Sequence, residues 1–269
     1  MALNLSAARA LPTLLCAFLI ANAAAQGVPS ARITRVIKDV KIIQGQATRD
    51  AALNNAVPQG AVVRTAAASR AEIVVRDRIV LRLASNTFLS LGPDGPALNQ
   101  GAVLFEAPSG VMNAKIAVGE ITIDTAGTTG IIERFGGTYV KIIMLQGKAR
   151  VFLAGTIGES LLVDAGQILI AKPNPKFLPE AVDFDIDQLY RTSMLTNADF
   201  RPLASRPLIN RAIAEQKKNP ELNATNLVIF GRGTLVTLID PTPSPVPKAA
   251  PSPTATASPK PQASPRPRR

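Results

Sequence analysis

The chain has no histidine and one cysteine, so any chemistry falls to carboxylates, guanidiniums, amines and hydroxyls. A thiol nucleophile, a histidine-assisted serine and a His- or Cys-ligated zinc or copper site are excluded by composition. The carboxylates Glu106, Glu120, Asp124 and Glu133 lie in or beside predicted β segments. A pair of them could act as acid and base on a glycan, but no spacing singles out a pair. Charges on a solvated strand face account for them more simply. Asp183, Asp185 and Asp187 alternate like the first ligands of an EF-hand loop, yet Gln188 and Met194 stand where that loop needs glycine and glutamate. Acids entering a helix, favoured by its positive amino end, explain the run. Gly127-Thr128-Thr129-Gly130 and Gly155-Thr156-Ile157-Gly158 lack the Gly-Lys-Ser/Thr ending of a phosphate-binding loop and read as turns. Arg64, Arg70, Arg76, Arg78 and Arg82 fall on consecutive strands as a basic face or, more simply, as surface charges that keep sheet edges from pairing. No catalytic, cofactor-binding or metal-ligating residue is assigned; no cofactor and no enzymatic activity are expected.

Short β segments must position these side chains. Those from Val36 to Ile43, Ala61 to Thr65, Ala71 to Val75, Ile79 to Leu83, Thr87 to Leu91 and Ala102 to Glu106 come first. Lys115 to Val118, Glu120 to Asp124, Thr138 to Leu145, Ala149 to Leu153, Ser160 to Val163 and Gln167 to Ala171 follow. Their spacing, with Gly, Asn, Asp or Pro between, predicts an all-β fold, a solenoid-like stack or a sandwich. Gln-Gly recurs at or before segments (Gln44-Gly45, Gln59-Gly60, Gln100-Gly101, Gln146-Gly147), which suggests stacked coils, although turn chemistry alone supplies such glycines. After Phe177 the pattern changes. Asp185 to Leu195 and Pro207 to Lys218 read as short helices, and Leu227 to Phe230 with Leu235 to Ile239 as a hairpin closing against the sheet.

The two ends differ from the middle. Arg9, the apolar run Leu11 to Ile20 and Ala21-Asn22-Ala23-Ala24-Ala25 have the order of a secretory signal, with cleavage expected after Ala25. The apolar run is shorter than the roughly 20 residues that span a bilayer and contains Pro12. Cys16 lies within it, so the mature chain is expected to carry no thiol, no disulfide and no transmembrane helix. From Pro241 to Arg269 there are ten prolines among Ser, Thr and Ala, a composition that forms neither helix nor sheet and is expected to be disordered and extended. This tail holds Lys248, Lys260, Arg266, Arg268 and Arg269 and no acid, a large part of the net charge of +11. It is either a solvated linker or an electrostatic tether to an anionic envelope surface. Aromatic residues sit in apolar runs rather than as base-stacking platforms, so no nucleic acid is expected.

Val63-Arg64-Thr65, Ser69-Arg70-Ala71-Glu72-Ile73 and Leu81-Arg82-Leu83-Ala84-Ser85-Asn86-Thr87 together resemble the opening of the FecR domain family. Gly101 to Leu104, Ile123 to Thr125 and Thr138 to Val151 resemble its later strands, for coverage from about Arg35 to Ala171. Ala126 to Ile131 replaces the family's Arg-Gly-Thr, and Arg76-Asp77-Arg78 its Asp-Gly turn. Sigma-regulating members carry a cytoplasmic helical domain and a membrane helix before this module, where the present chain has a signal segment. The resemblance implies an exported, non-catalytic β module that binds another envelope protein or relays a signal, in the periplasm or outside the cell. The expected organisation is a signal peptide (1–25), a FecR-like β domain (33–173), a helical and hairpin extension (177–240) and the basic tail (241–269). A carboxylate-dependent enzyme acting on an envelope polymer is the alternative.

Overall fold

The computed structural model describes residues 29–76, 78–111, 114–155 and 158–218, together with the backbone of 227–229 and 236–238. The expected signal segment, the Pro-rich tail and residues 231–233 lie outside the described residues.

Strands dominate. In chain order they are β1 (Pro29–Ile37), β2 (Val40–Gln44), β3 (Ala47–Asp50), β4 (Ala56–Pro58), β5 (Val62–Thr65), β6 (Arg70–Val75), β7 (Ile79–Leu83), β8 (Phe88–Gly92) and β9 (Gly95–Ala107). Then come β10 (Lys115–Val118), β11 (Ile121–Asp124), β12 (Thr128–Phe135), β13 (Tyr139–Gln146), β14 (Lys148–Leu153), β15 (Ser160–Asp164), β16 (Gln167–Ala171) and β17 (Val182–Asp183). Helices α1 (Ile186–Thr192) and α2 (Arg206–Gln216) follow, and among the described residues β18 (Leu227–Ile229) pairs with β19 (Val236–Leu238) as a separate two-stranded sheet. The fold is all-β.

Two layers share one strand. The first has the order β4-β1-β6-β7-β9-β12-β13-β16-β17, the second β3-β2-β5-β8-β9-β10-β11-β14-β15. Strand β9 belongs to both: Leu98 faces Leu89 in the second layer, and Val103 lies between Leu83 and Ile132 in the first. The chain lays hairpins alternately in the two layers, and every pairing is antiparallel except the single bridge of β9 to β10. Of the two arrangements open to the sequence, the ladder is that of a layered sandwich rather than parallel stacked coils.

Apolar alternation fills the space between the layers. Ile33, Ile73, Leu81, Phe105, Ile132 and Ile142 from the first layer meet Ile42, Val63, Leu89, Ile116, Ile123 and Val151 from the second. Strands β12 and β13 are buried on both faces, which is why Ile131-Ile132 and Ile142 to Leu145 run apolar without alternation. Their outer face meets a second cluster, in which Leu104, Ile131, Ile143 and Ile168 pack under Phe184, Ile186, Leu189, Leu195, Phe200, Leu203 and Ile209. The segment with the two helices is thus a cap on the outside of the first layer.

Several elements differ from the sequence expectation. The segment Val36 to Ile43 is broken at Lys38, whose φ of 62° turns the chain from one layer to the other with no glycine to announce it. Strand β12 runs through Thr129 and Gly130, which had read as part of a turn. A Cβ at Gly130 would stand 2.5 Å from the Ile143 carbonyl oxygen and 2.8 Å from the Phe105 ring, so close approach of neighbours, not a bend, requires this glycine. Strands β3 and β4 were not expected, and every β3 side chain is exposed.

Candidate functional site

A groove of about 1010 Å³ opens where β6 begins, β7 ends, β9 changes layer and β12 ends. Its floor is small: Ala84, Gly101 and Ala102. Arg64, Arg70, Arg134, Phe88, Phe135 and Met194 stand around it, with Glu133 as the lining acid. Phe135 is 60% exposed and Met194 37%, so both present uncovered apolar surface.

Gly101 makes the groove. Its φ is +88°, and a Cβ there would lie 2.6 Å from Cα of Thr87 and 2.8 Å from the Asn86 carbonyl oxygen. Only glycine combines that conformation with that approach. Two buried threonines then fix the corner. The Thr65 hydroxyl donates to the Ala84 carbonyl and accepts the Thr87 amide at 2.9 Å. The Thr87 hydroxyl donates to the Ala102 carbonyl at 3.1 Å and accepts the Ala102 amide at 3.2 Å. These threonines end the Val63-Arg64-Thr65 and Leu81 to Thr87 motifs, and their work is to satisfy backbone groups where two layers meet.

The cap supplies one wall. Arg82, 2% exposed, donates through Nε to Glu72 Oε2 at 2.9 Å, through Nη1 to the Leu195 carbonyl at 2.9 Å, and through Nη2 to the Arg201 carbonyl. Its guanidinium stacks on Phe200, 4.8 Å from the ring centre. Arg70, beside it on β6, holds Asp199 through Nη2. Glu106 accepts the Ser205 amide and so closes the amino end of α2, where Ser205 makes no side-chain cap of its own. Asp185 caps α1 by accepting the Gln188 amide at 3.0 Å, and Asp187 pairs with Lys217 at 2.8 Å and Arg191 at 3.3 Å. Those bonds hold Asp187 below the usual carboxylate range, the Lys217 hydrogen bond foremost.

At the inner end of the groove Glu133 accepts the Tyr139 hydroxyl at 3.1 Å, with Lys141 Nζ 4.0 Å away and 4.5 Å above the Tyr139 ring. Burial, then the Glu133 charge, pushes the Tyr139 phenol up to about 12. Burial pulls the Lys141 amine down, and Glu133 partly offsets this. On the other side Arg64 stands over Phe88, 5.2 Å from the ring centre, and Phe135 stacks on Tyr139 with centroids 5.5 Å apart.

The carboxylates weighed for catalysis are not gathered. Glu106 and Glu133 share the outer face of the first layer, but Glu106 lies opposite Thr129 and Glu133 opposite Ala102. That offset of four residues is about 13 Å along a strand, beyond the separation of paired glycosidase acids. Asp124 is on the second layer and Glu120 in the exposed β10–β11 turn. Among the described residues no group of three or more metal-capable side chains occurs. Of the five arginines, Arg64 and Arg70 reach the groove, Arg82 is buried beneath the cap, and Arg76 and Arg78 are exposed at the β6–β7 turn. Sequence reasoning did not find Arg134, Phe135 or Met194. The one signal available was Phe135, a large apolar residue at a Gly136-Gly137 turn.

No family model matches the chain, and no curated protein matches it. Two solved structures of a "putative anti-sigma factor" from Parabacteroides distasonis ATCC 8503 are similar to it, each with a TM-score of 0.40. They cover 47% and 49% of this chain at 10% and 9% identity. The chain spans 61% of the one and 64% of the other.

Proposed function

We propose that this is an exported, FecR-type binding module that receives a segment of another envelope protein in the groove at the β9 crossover, without catalysing a reaction. The groove carries the reading: three arginines and two exposed apolar side chains line it around a floor of alanine and glycine. A concave site with a few convergent charges on a rigid sheet corner is a recognition feature. The FecR-type assignment rests on the sequence motifs, several of which (Arg64-Thr65, Arg70 and Ala84 to Asn86) line the groove. The basic tail acts as a tether, worth about 1 kcal/mol for each Lys or Arg held at an anionic surface. No helix among the described residues is long and apolar enough to cross a membrane, and the reading needs none.

Crosslinking in the envelope followed by affinity purification tests it. Three forms are compared: the whole chain, the Arg64→Glu/Arg134→Glu variant, and a chain ending at Asp240. One protein partner recovered with the whole chain and the shortened chain, and lost with the groove variant, supports the reading. A partner kept by the groove variant contradicts it. The recovered chain should begin at Gln26, and an intact Met1 in the envelope fraction contradicts cleaved export.

A further inference from the structure

The charges and apolar surfaces of the groove also specify the kind of segment it accepts. Arg70 is half committed. Its Nη2 holds Asp199, whereas its Nε–H is buried with no hydrogen-bond partner. That Nε–H is out of a ligand's reach, so an incoming carboxylate meets Arg70 on its Nη side, by exchange with Asp199. Asp199 shows where a carboxylate sits against this arginine, and its own side chain is 43% exposed, within reach of a competitor. Arg64 is held over Phe88, which orients its guanidinium and lowers the entropy lost on pairing. Glu133, the lining acid, accepts from Tyr139 and faces Lys141, so its charge is largely answered within the fold. Phe135 and Met194 lie open beside these charges.

Resting on the binding reading above, we infer that the groove takes a short peptide segment of the partner that combines carboxylates with a large apolar side chain. The carboxylates pair with Arg64 and exchange with Asp199 for Arg70. The apolar side chain lies against Phe135 and Met194, above Ala84 and Ala102. A neutral glycan would bring no countercharge to Arg64, and the Thr65 hydroxyl that could serve a sugar is already engaged by the Ala84 carbonyl and the Thr87 amide.

Methionine-methyl NMR on the full chain, in the processed form the cell leaves, reads occupancy directly. Met194 is at the groove, and Met144 is fully buried in the core as a control for the fold. The probes are the acetylated tetrapeptide amide Glu-Phe-Asp-Leu, its neutral counterpart Gln-Phe-Asn-Leu and a uronic-acid oligosaccharide. The acidic peptide is expected to shift Met194 saturably with Met144 unmoved. Arg64→Gln should weaken it about tenfold, the loss of one charge-assisted bond. Arg150→Gln, exposed on the second layer, should leave it unchanged. If the neutral peptide shifts Met194 equally, the acidic preference is overturned while the groove remains a binding site. If the oligosaccharide binds better, or no probe moves Met194, the peptide assignment is overturned, whatever the crosslinking experiment recovers.

Discussion

Arg82 joins the cap to the sheet, and its removal should be the most damaging single polar change in the chain. Replacement by methionine keeps the volume of the stem but deletes three hydrogen bonds and the stack on Phe200. Glu72, with a side chain 12% exposed, keeps only its bond from the Thr34 hydroxyl at 2.8 Å. Bonds to charged groups contribute about 1.5 to 3 kcal/mol each and do not add, and breaking a buried pair costs about 3 to 5 kcal/mol. Arg82→Met is therefore expected to lose about 4 kcal/mol, a fall in Tm of about 10 °C for a domain of this size. Arg82→Lys should fall between, because an ammonium cannot span one carboxylate and two carbonyls. The double variant Glu72→Leu/Arg82→Met should recover at least half the loss, since no charge is then left stranded. Guanidinium titration followed by circular dichroism measures all three. A loss below about 1 kcal/mol for Arg82→Met, or a double variant worse than the single, would refute the view that this pair holds the cap.

Three further outcomes follow from the same geometry. Gly101→Ala should cost at least about 3 kcal/mol, combining backbone strain with contact against Thr87 and Asn86; Gly45→Ala, with φ +58° and nothing within 4 Å, should cost only about 1 kcal/mol, and equal losses by denaturation would be evidence against the crossover role. Glu106→Ala should cost about 2 kcal/mol and speed amide exchange at the start of α2, with Glu106→Gln largely sparing both; an unaffected α2 in the alanine variant would contradict its capping role. In a Tyr190→Phe chain the phenolate absorbance reports Tyr139, the other of the two tyrosines, and should rise with a midpoint near 12. The folded phenol keeps its proton after the unfolded one loses it near pH 10, so stability falls as pH rises from about 10 towards 12; a midpoint near 10 would be inconsistent with this environment.

What was legible in the sequence was the alternation. Strands β5, β6 and β8 carry a clean in-and-out pattern, and the motif Val63-Arg64-Thr65 falls where the pattern places it. Strand β12 was lost because Thr128-Thr129-Gly130 has turn composition, while the need for Gly130 comes from Ile143 and Phe105, neither adjacent to it in the chain. The Lys38 corner was lost because positive φ in a lysine leaves no trace in composition. The groove was illegible for a different reason: residues 64–70, 84–88, 100–102 and 133–136 and Met194 meet only once two layers and a cap exist. Arg82 read as a surface charge, and its acceptor at Leu195 lies 113 residues away.

The most direct test of the groove as the recognition site is a photo-crosslinking phenylalanine analogue placed at Phe135 and, separately, at Phe177, which is 70% exposed and does not line the groove. Irradiation in living cells should give one discrete protein adduct from position 135 and none from position 177. No adduct from 135, or the same adduct from both positions, would contradict the account.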